Sequence, residues 1–305
     1  MAQENASSPF DFMTTQDKIS IRYGVWPCGI GAARGRVLIL NGRTEFMEKY
    51  DETITDLNRR GFDVYSFDWR GQGLSTRLLS DRHKGYIRTY DDYLKDLELF
   101  VGQIVKPKTR SHLIVLAHSM GAHIALRFLH DHPEVFDQAV LVSPMIDILP
   151  SPIVRPIARF VTRRKIKGGL DSAYVFNSGG YNSREMSFKG NRFTSDPVRF
   201  MDQKKEIEKN PDLALGGLTY GWLEATFESI DILKKSGYAG QIKIPVLIVS
   251  AGSDKVIAVK AQKNICSAMA NCQYIVISNA RHEILKETDS IRSNFWDAFD
   301  RFTEH

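Results

Sequence analysis

Residues 113–121 read LIVLAHSMG, an apolar run that stops on a histidine, a serine, a methionine and a glycine. Unbroken apolar runs of this length, without alternation, fit a strand buried on both faces of a parallel sheet. The small residues after it fit a tight strand-to-helix turn. Working outward, the same alternation recurs. Arg36–Leu40 and Asp63–Phe67 read as buried strands, separated by a helical stretch from Glu48 to Arg60 that closes at Gly61. Tyr90–Val105 carries Leu94, Leu97 and Phe100 on one helical face. A helix runs from the turn to about His130, and Ala139–Val142 is a further strand. Lys18 to Trp26 alternates like an edge strand. Strands alternating with amphipathic helices predict an α/β fold built on a mostly parallel sheet.

From Pro144 to about Gly240 that rhythm stops, and the chain turns rich in Gly, Pro, Asn and basic residues. It resumes with a strand at Val246–Val249, a helix near Lys260–Ala270, a strand at Tyr274–Ile277 and a closing helix at Ser290–Phe302. The expected organisation is one α/β domain in two parts, residues 1–144 and 241–305, interrupted by an insertion over 145–240.

Bulk properties narrow the classes. The chain has 305 residues, 43% hydrophobic and 25% charged, with a formal net charge of +5. That is enough chain for one large core. No apolar run approaches the roughly 20 residues needed to cross a bilayer. The polar start, MAQENASSP, reads as a flexible arm rather than a secretory signal. The mild positive charge, without an RNA-binding motif or zinc knuckle, gives no case for nucleic acid. Three cysteines, Cys28, Cys266 and Cys272, suggest a reducing compartment and no disulfide framework. Cys266 and Cys272 are expected to be packed small hydrophobes. The expected location is cytoplasmic.

A serine at the carboxyl end of a buried strand sits where open α/β sheets bind ligands. The turn crowds the positions two before and two after it, and these are Ala117 and Gly121. The pattern matches the nucleophile elbow, with Ala at its first position. A serine hydroxyl needs a base, and the base an orienting carboxylate. Asp254 follows the Val246–Val249 strand and His282 follows the last strand, in the chain order this fold expects. After Asp254 the remaining histidines are His282 and the terminal His305. Asp147 is the runner-up acid. His118 reads as a packing neighbour; His123, His130 and His132 read as surface or satisfied positions. Glu283 reads as a solvated carboxylate. Backbone amides of Met120, at the start of the helix, and Arg43, after the Arg36–Leu40 strand, are the expected oxyanion donors. The glycines of Asp68–Ser75 lack a phosphate-loop Lys-Ser/Thr and are read as structural. No metal or organic cofactor is called for.

These residues resemble the α/β-hydrolase superfamily, and within it the bacterial lysophospholipase and monoacylglycerol lipase branch. The resemblance spans almost the whole chain through NGRTEFMEKY, DWRGQGLSTRLLSDRHKGYIRTYDDYLKDL, LAHSMGAHIAL, GGLTYGWLEA and ARHEILKE. It implies that Ser119 is the nucleophile, Asp254 the acid and His282 the base, and that the insertion is a mainly helical cap. Tyr220 and Trp222 in the cap, with Arg43, are the substrate-binding candidates. Monoacylglycerol lipases usually open the oxyanion loop with His-Gly, whereas this chain has Asn41-Gly42. The expected function is hydrolysis of the acyl ester of a lipid-like monoester, a lysophospholipid first. Monoacylglycerol, a smaller ester or thioester, a silent ligand-binding relative and cofactor-free oxygen chemistry are the alternatives. In PIVRPIARFVTRRKIK (152–167), Ile153, Ile157, Phe160 and Val161 can share a helical face beside six basic residues. That helix can cover the pocket with its charges solvated, lie peripherally on an anionic membrane, or do both. The Arg43 guanidinium is in addition placed to meet a substrate phosphate.

Overall fold

The computed structural model describes residues 8–29, 31–105, 111–148, 154–184 and 186–304. The strands are β1 (Phe10–Thr14), β2 (Ser20–Trp26), β3 (Gly35–Leu40), β4 (Phe62–Phe67), β5 (Leu113–His118), β6 (Gln138–Val142), β7 (Val246–Ala251) and β8 (Cys272–Ile277). They form one sheet in the order β1-β2-β4-β3-β5-β6-β7-β8. β2 pairs antiparallel with β1 and β4, and the other neighbours pair in parallel. The helices are α1 (Asp51–Arg59), α2 (Tyr90–Phe100), α3 (Met120–Asp131), α4 (Val154–Lys167), α5 (Pro197–Lys209), α6 (Tyr220–Leu233), α7 (Val259–Ser267) and α8 (Asp289–Thr303). This is the α/β-hydrolase architecture.

The opening stretch behaves as a doubly buried strand. Leu113, Val115 and Ala117 of β5 pack into one apolar cluster with α2, α3 and α7. Ile114 and Leu116 pack into the other, with Ile54 and Leu57 of α1 and Phe295, Phe299 and Phe302 of α8. Helices on both faces explain why β3, β5, β6 and β7 show no polar alternation. Gly61, at φ +83°, turns the chain out of α1 as its position suggests.

Three expectations need correction. β2 is not the edge: β1 covers it, and Phe10–Thr14 is too short and too close to a polar run to announce a strand. Cys266 and Cys272 are disulfide-bonded, with Cα atoms 5.4 Å apart. The connection from α7 to β8 doubles back within a few residues and brings them into bridging range. The bond removes the cysteine argument for a reducing compartment. Cys28 is buried and free. No helix among the described residues is long and apolar enough to cross a membrane.

The interval between β6 and β7 holds α4, α5 and α6. A bridge from Gly85 to Leu218 fastens it to the rest of the chain, and a second, from Tyr174 to Thr219, lies within it. The starting arm through Ser7, the beginning of the basic stretch through Ile153 and His305 lie outside the described residues.

Candidate active site

Ser119 sits between β5 and α3 at φ 50°, ψ −110°, a conformation rarely adopted by a residue with a side chain. Neighbours on every side hold it there. Its amide donates to the Val142 carbonyl at 3.0 Å, and its carbonyl accepts from His123 and Met145 at 3.1 Å each. Gly121 is obligatory for a steric reason: a Cβ there would lie 2.3 Å from the Leu40 oxygen and 2.6 Å from the Asn41 oxygen. The start of α3 therefore rests on the carboxyl end of β3, which brings Met120 beside the Asn41–Glu45 loop. Neither the Met120 nor the Arg43 amide engages in a turn or loop hydrogen bond among the described residues.

Three loops from separate strands meet at this point. Ser119 Oγ lies 2.9 Å from His282 Nε2, and His282 Nδ1 lies 2.7 Å from Asp254 Oδ2. The other Asp254 oxygen accepts the amides of Val256 at 2.7 Å and Ile257 at 3.1 Å. Burial pushes the Asp254 carboxyl up, but the hydrogen bond and charge of His282 and the two amides outweigh it and hold it below its ordinary range. An ionised Asp254 fixes the His282 proton on Nδ1, leaving Nε2 free to accept from the serine hydroxyl. Asp147, the runner-up acid, is instead ion-paired with Lys234.

A buried charged network lies beneath this site. His118 Nδ1 is 3.1 Å from Glu45 Oε2, and its Nε2 is 3.3 Å from the His282 carbonyl. Lys49 Nζ bridges Glu45 at 2.9 Å and Glu283 at 2.7 Å. Burial pulls the His118 imidazole down, but the Glu45 charge and hydrogen bond outweigh it and raise it above its usual value. His118 is thus more than a packing neighbour, and Glu283 is not a solvated carboxylate. The reason is Lys49, which the short turn Met47–Tyr50 before α1 brings against the site and which needs counter-charge. His123 is buried, between the Met145 carbonyl at 2.8 Å and Ser229 Oγ at 2.6 Å. His132 stacks on Phe128, and His130 on Tyr238.

The Asp68–Ser75 loop props the oxyanion segment from behind. Trp69 Nε1 donates to the Asn41 carbonyl at 2.9 Å, and the Thr44 amide donates to Gln72 Oε1 at 2.8 Å. Gly73 is at φ +51°, and a Cβ there would strike the Asp68 carboxyl at 2.2 Å. Among the described residues no cluster of ligating side chains could hold a metal ion.

Ser119 and His282 open into a cavity of about 760 Å³. Its walls are largely apolar, with Met145, Ile148, Leu215, Leu218 and Trp222 among them. Trp222 therefore reaches the cavity but Tyr220 does not line it. Two residues apart on α6 they face nearly opposite ways, and the Tyr220 amide is tied to the Ala173 carbonyl. The basic helix α4 also differs from expectation. Arg155, Arg159 and Arg163 are paired with Asp231 and Glu224 of α6. Ile157 is 62% exposed and Phe160 67%, so the apolar residues of α4 point away from the cavity rather than covering it.

Residues 31–289 match the family profile described as serine aminopeptidase, S33. The chain is 31% identical over 285 residues to a probable lysophospholipase L2 of Haemophilus influenzae, covering 93% of this chain and 88% of that one. It is 33% identical over 269 residues to lysophospholipase L2 of Escherichia coli K12, covering 84% and 76%. The crystal structure of a soluble variant of monoglyceride lipase from Saccharomyces cerevisiae, in complex with a substrate analog, superposes with a TM-score of 0.75. It is 18% identical, and 99% of this chain and 97% of that one are covered. With the elbow, the strand order and a match through most of its length, the chain belongs to the serine aminopeptidase S33 family of α/β hydrolases.

Proposed function

We propose that this protein is a serine ester hydrolase that cleaves the acyl ester of a lipid-like monoester, a lysophospholipid before a monoacylglycerol. The observation that carries the reading is the continuous line of contacts from Ser119 Oγ through His282 to Asp254, opening on a large apolar cavity. In this account Ser119 Oγ attacks the acyl carbonyl while His282 Nε2 takes its proton. Asp254 faces the imidazolium that results. The Met120 and Arg43 amides hold the oxyanion. Collapse of the tetrahedral intermediate breaks the ester C–O bond, and His282 returns its proton to the leaving alcohol. Water, deprotonated by the same imidazole, then releases the fatty acid and restores the serine. Residues 145–240 form the cap in this reading, with the cavity taking the acyl chain against Leu215, Leu218 and Trp222. Similarity to lysophospholipase L2 proteins supports the choice of substrate class.

The outward face of α4 supports peripheral contact with an anionic membrane. Ile157 and Phe160 are exposed there, beside Arg164, Lys165 and Lys167, which belong to no ion pair among the described residues. Apolar anchors flanked by cations suit an anionic lipid surface. Flotation with anionic vesicles that persists in an Ile157→Ser/Phe160→Ser protein overturns this contact. The substrate reading is tested by product analysis on lysophospholipids, monoacylglycerols and short esters, with Ser119→Ala as control. Rates that rise with acyl length support it. Turnover confined to short esters refutes it.

A further inference from the structure

Among the described residues the Arg43 guanidinium forms no ion pair with a carboxylate. Several buried cations in this protein are matched by carboxylates: Lys49 by Glu45 and Glu283, Arg70 by Asp96 and Asp17, Arg292 by Glu52 and Asp56; Arg36, also buried, donates to the carbonyls of Val105 and Ser111. Arg77 lacks a carboxylate but donates to the carbonyls of Gly71, Asp212 and Ala214. Among the described residues Arg43 makes one hydrogen bond through its guanidinium, from Nη2 to the Gly216 carbonyl at 2.8 Å. Its Nε is buried without a partner. The guanidinium carbon lies 5.1 Å from the centroid of the Trp222 ring, and both residues line the same cavity as Ser119 and His282. Burial pushes its pKa down to about 10.

The seat is shaped for this group. A Cβ at Gly85 would fall 2.4 Å from Nη2, so the chain leaves out a side chain where the guanidinium lies. Half-satisfied buried cations are costly, and an anion supplied by a ligand relieves that cost. Bond counting supplies the scale. From its amide nitrogen to its guanidinium carbon, Arg43 runs through as many bonds as separate the acyl carbonyl carbon from phosphorus in a 1-acyl lysophospholipid. An amide on the oxyanion and a guanidinium on the phosphate can thus come from one residue.

We propose that the Arg43 guanidinium binds the phosphodiester of the substrate, making Arg43 the residue that selects a lysophospholipid over a neutral monoacylglycerol. The proposal rests on the lipid-hydrolase reading above. Charge-assisted donation to a phosphate fits an arginine better than a lysine, because the fork can engage two oxygens.

The test compares kcat/KM for 1-palmitoyl lysophosphatidylglycerol and 1-palmitoylglycerol in the wild type, Arg43→Lys and Arg43→Met. Each substitution keeps the backbone amide, and the ratio is internal to each protein, so loss of folded enzyme cancels. The expected result is a wild-type preference for the phospholipid that drops about 10- to 100-fold in Arg43→Met, with Arg43→Lys between. Equal loss on both lipids overturns the proposal and leaves Arg43 as a staple to Gly216. Competition by inorganic phosphate against a short ester, with an unchanged lipid ratio in Arg43→Met, also overturns it, because it assigns the site to free phosphate. A wild type inactive on both lipids but active on short esters sinks the parent lipid reading instead, and the proposal with it.

Discussion

His123 links the elbow to the core, and its burial sets a measurable acid sensitivity. The imidazole is fully buried one turn into α3, beneath Ser119, with its Nδ1 on the Met145 carbonyl and its Nε2 on Ser229. Burial pushes its pKa down to about 4, the Met145 hydrogen bond raising it and Arg127 lowering it further. In the unfolded chain the value returns to about 6.5. Between those limits the unfolded state binds more protons, so stability from this group is complete above about 6.5 and is lost as pH falls towards 4. At about 1.4 kcal/mol per pH unit, the gap corresponds to roughly 3 kcal/mol. Asp51 and Asp68 tilt the raw curve the other way, since burial raises both to about 6. Comparison with His123→Gln isolates the histidine. Urea denaturation followed by tryptophan fluorescence, stepped from pH 7 to pH 4, gives the slope of unfolding free energy for each protein. The wild type should lose about 3 kcal/mol more than the variant across the window. Parallel curves would refute the reasoning.

Three further outcomes follow from the geometry. Asp254→Asn should lower kcat about 10⁴-fold while leaving the fold intact, because the neutral amide no longer fixes the His282 tautomer; burst and steady-state kinetics with matched circular dichroism check it. Gly121→Ala should destabilise the protein by about 1–3 kcal/mol, since its Cβ meets backbone at 2.3 Å that cannot swing away; thermal denaturation reads the cost, and an unchanged melting temperature contradicts it. Glu45→Ala should cost about 3–5 kcal/mol, since it strips Lys49 and His118 of a buried carboxylate; a denaturant midpoint within error of wild type contradicts it.

Legibility in the sequence tracked how local the physics is. The elbow is short-range: Ala117, Ser119 and Gly121 must be small or reactive for reasons contained in one turn, and β5 announces itself by unbroken burial. Asp254 and His282 were readable because strand order dictates which loops share the carboxyl edge. The Glu45–Lys49–Glu283–His118 network was not, because each charge alone resembles a solvated one and only the approach of the Met47–Tyr50 turn to the site pairs them. Tyr220 was misplaced beside Trp222 because a motif read as a string ignores the helical turn between them. The arginines of α4 looked free for a membrane, but three are matched by acids on α6, dozens of residues later in the chain. The Cys266–Cys272 bond was hidden because count and spacing do not reveal how tightly α7 turns into β8.

The most direct measurement of the central claim is covalent capture of Ser119. A fluorophosphonate reacted with the full chain, digested and mapped by mass spectrometry, should place one adduct on Ser119. Labelling should vanish in Ser119→Ala and slow by orders of magnitude in His282→Ala. An unlabelled Ser119, or undiminished ester turnover in Ser119→Ala, would contradict the account.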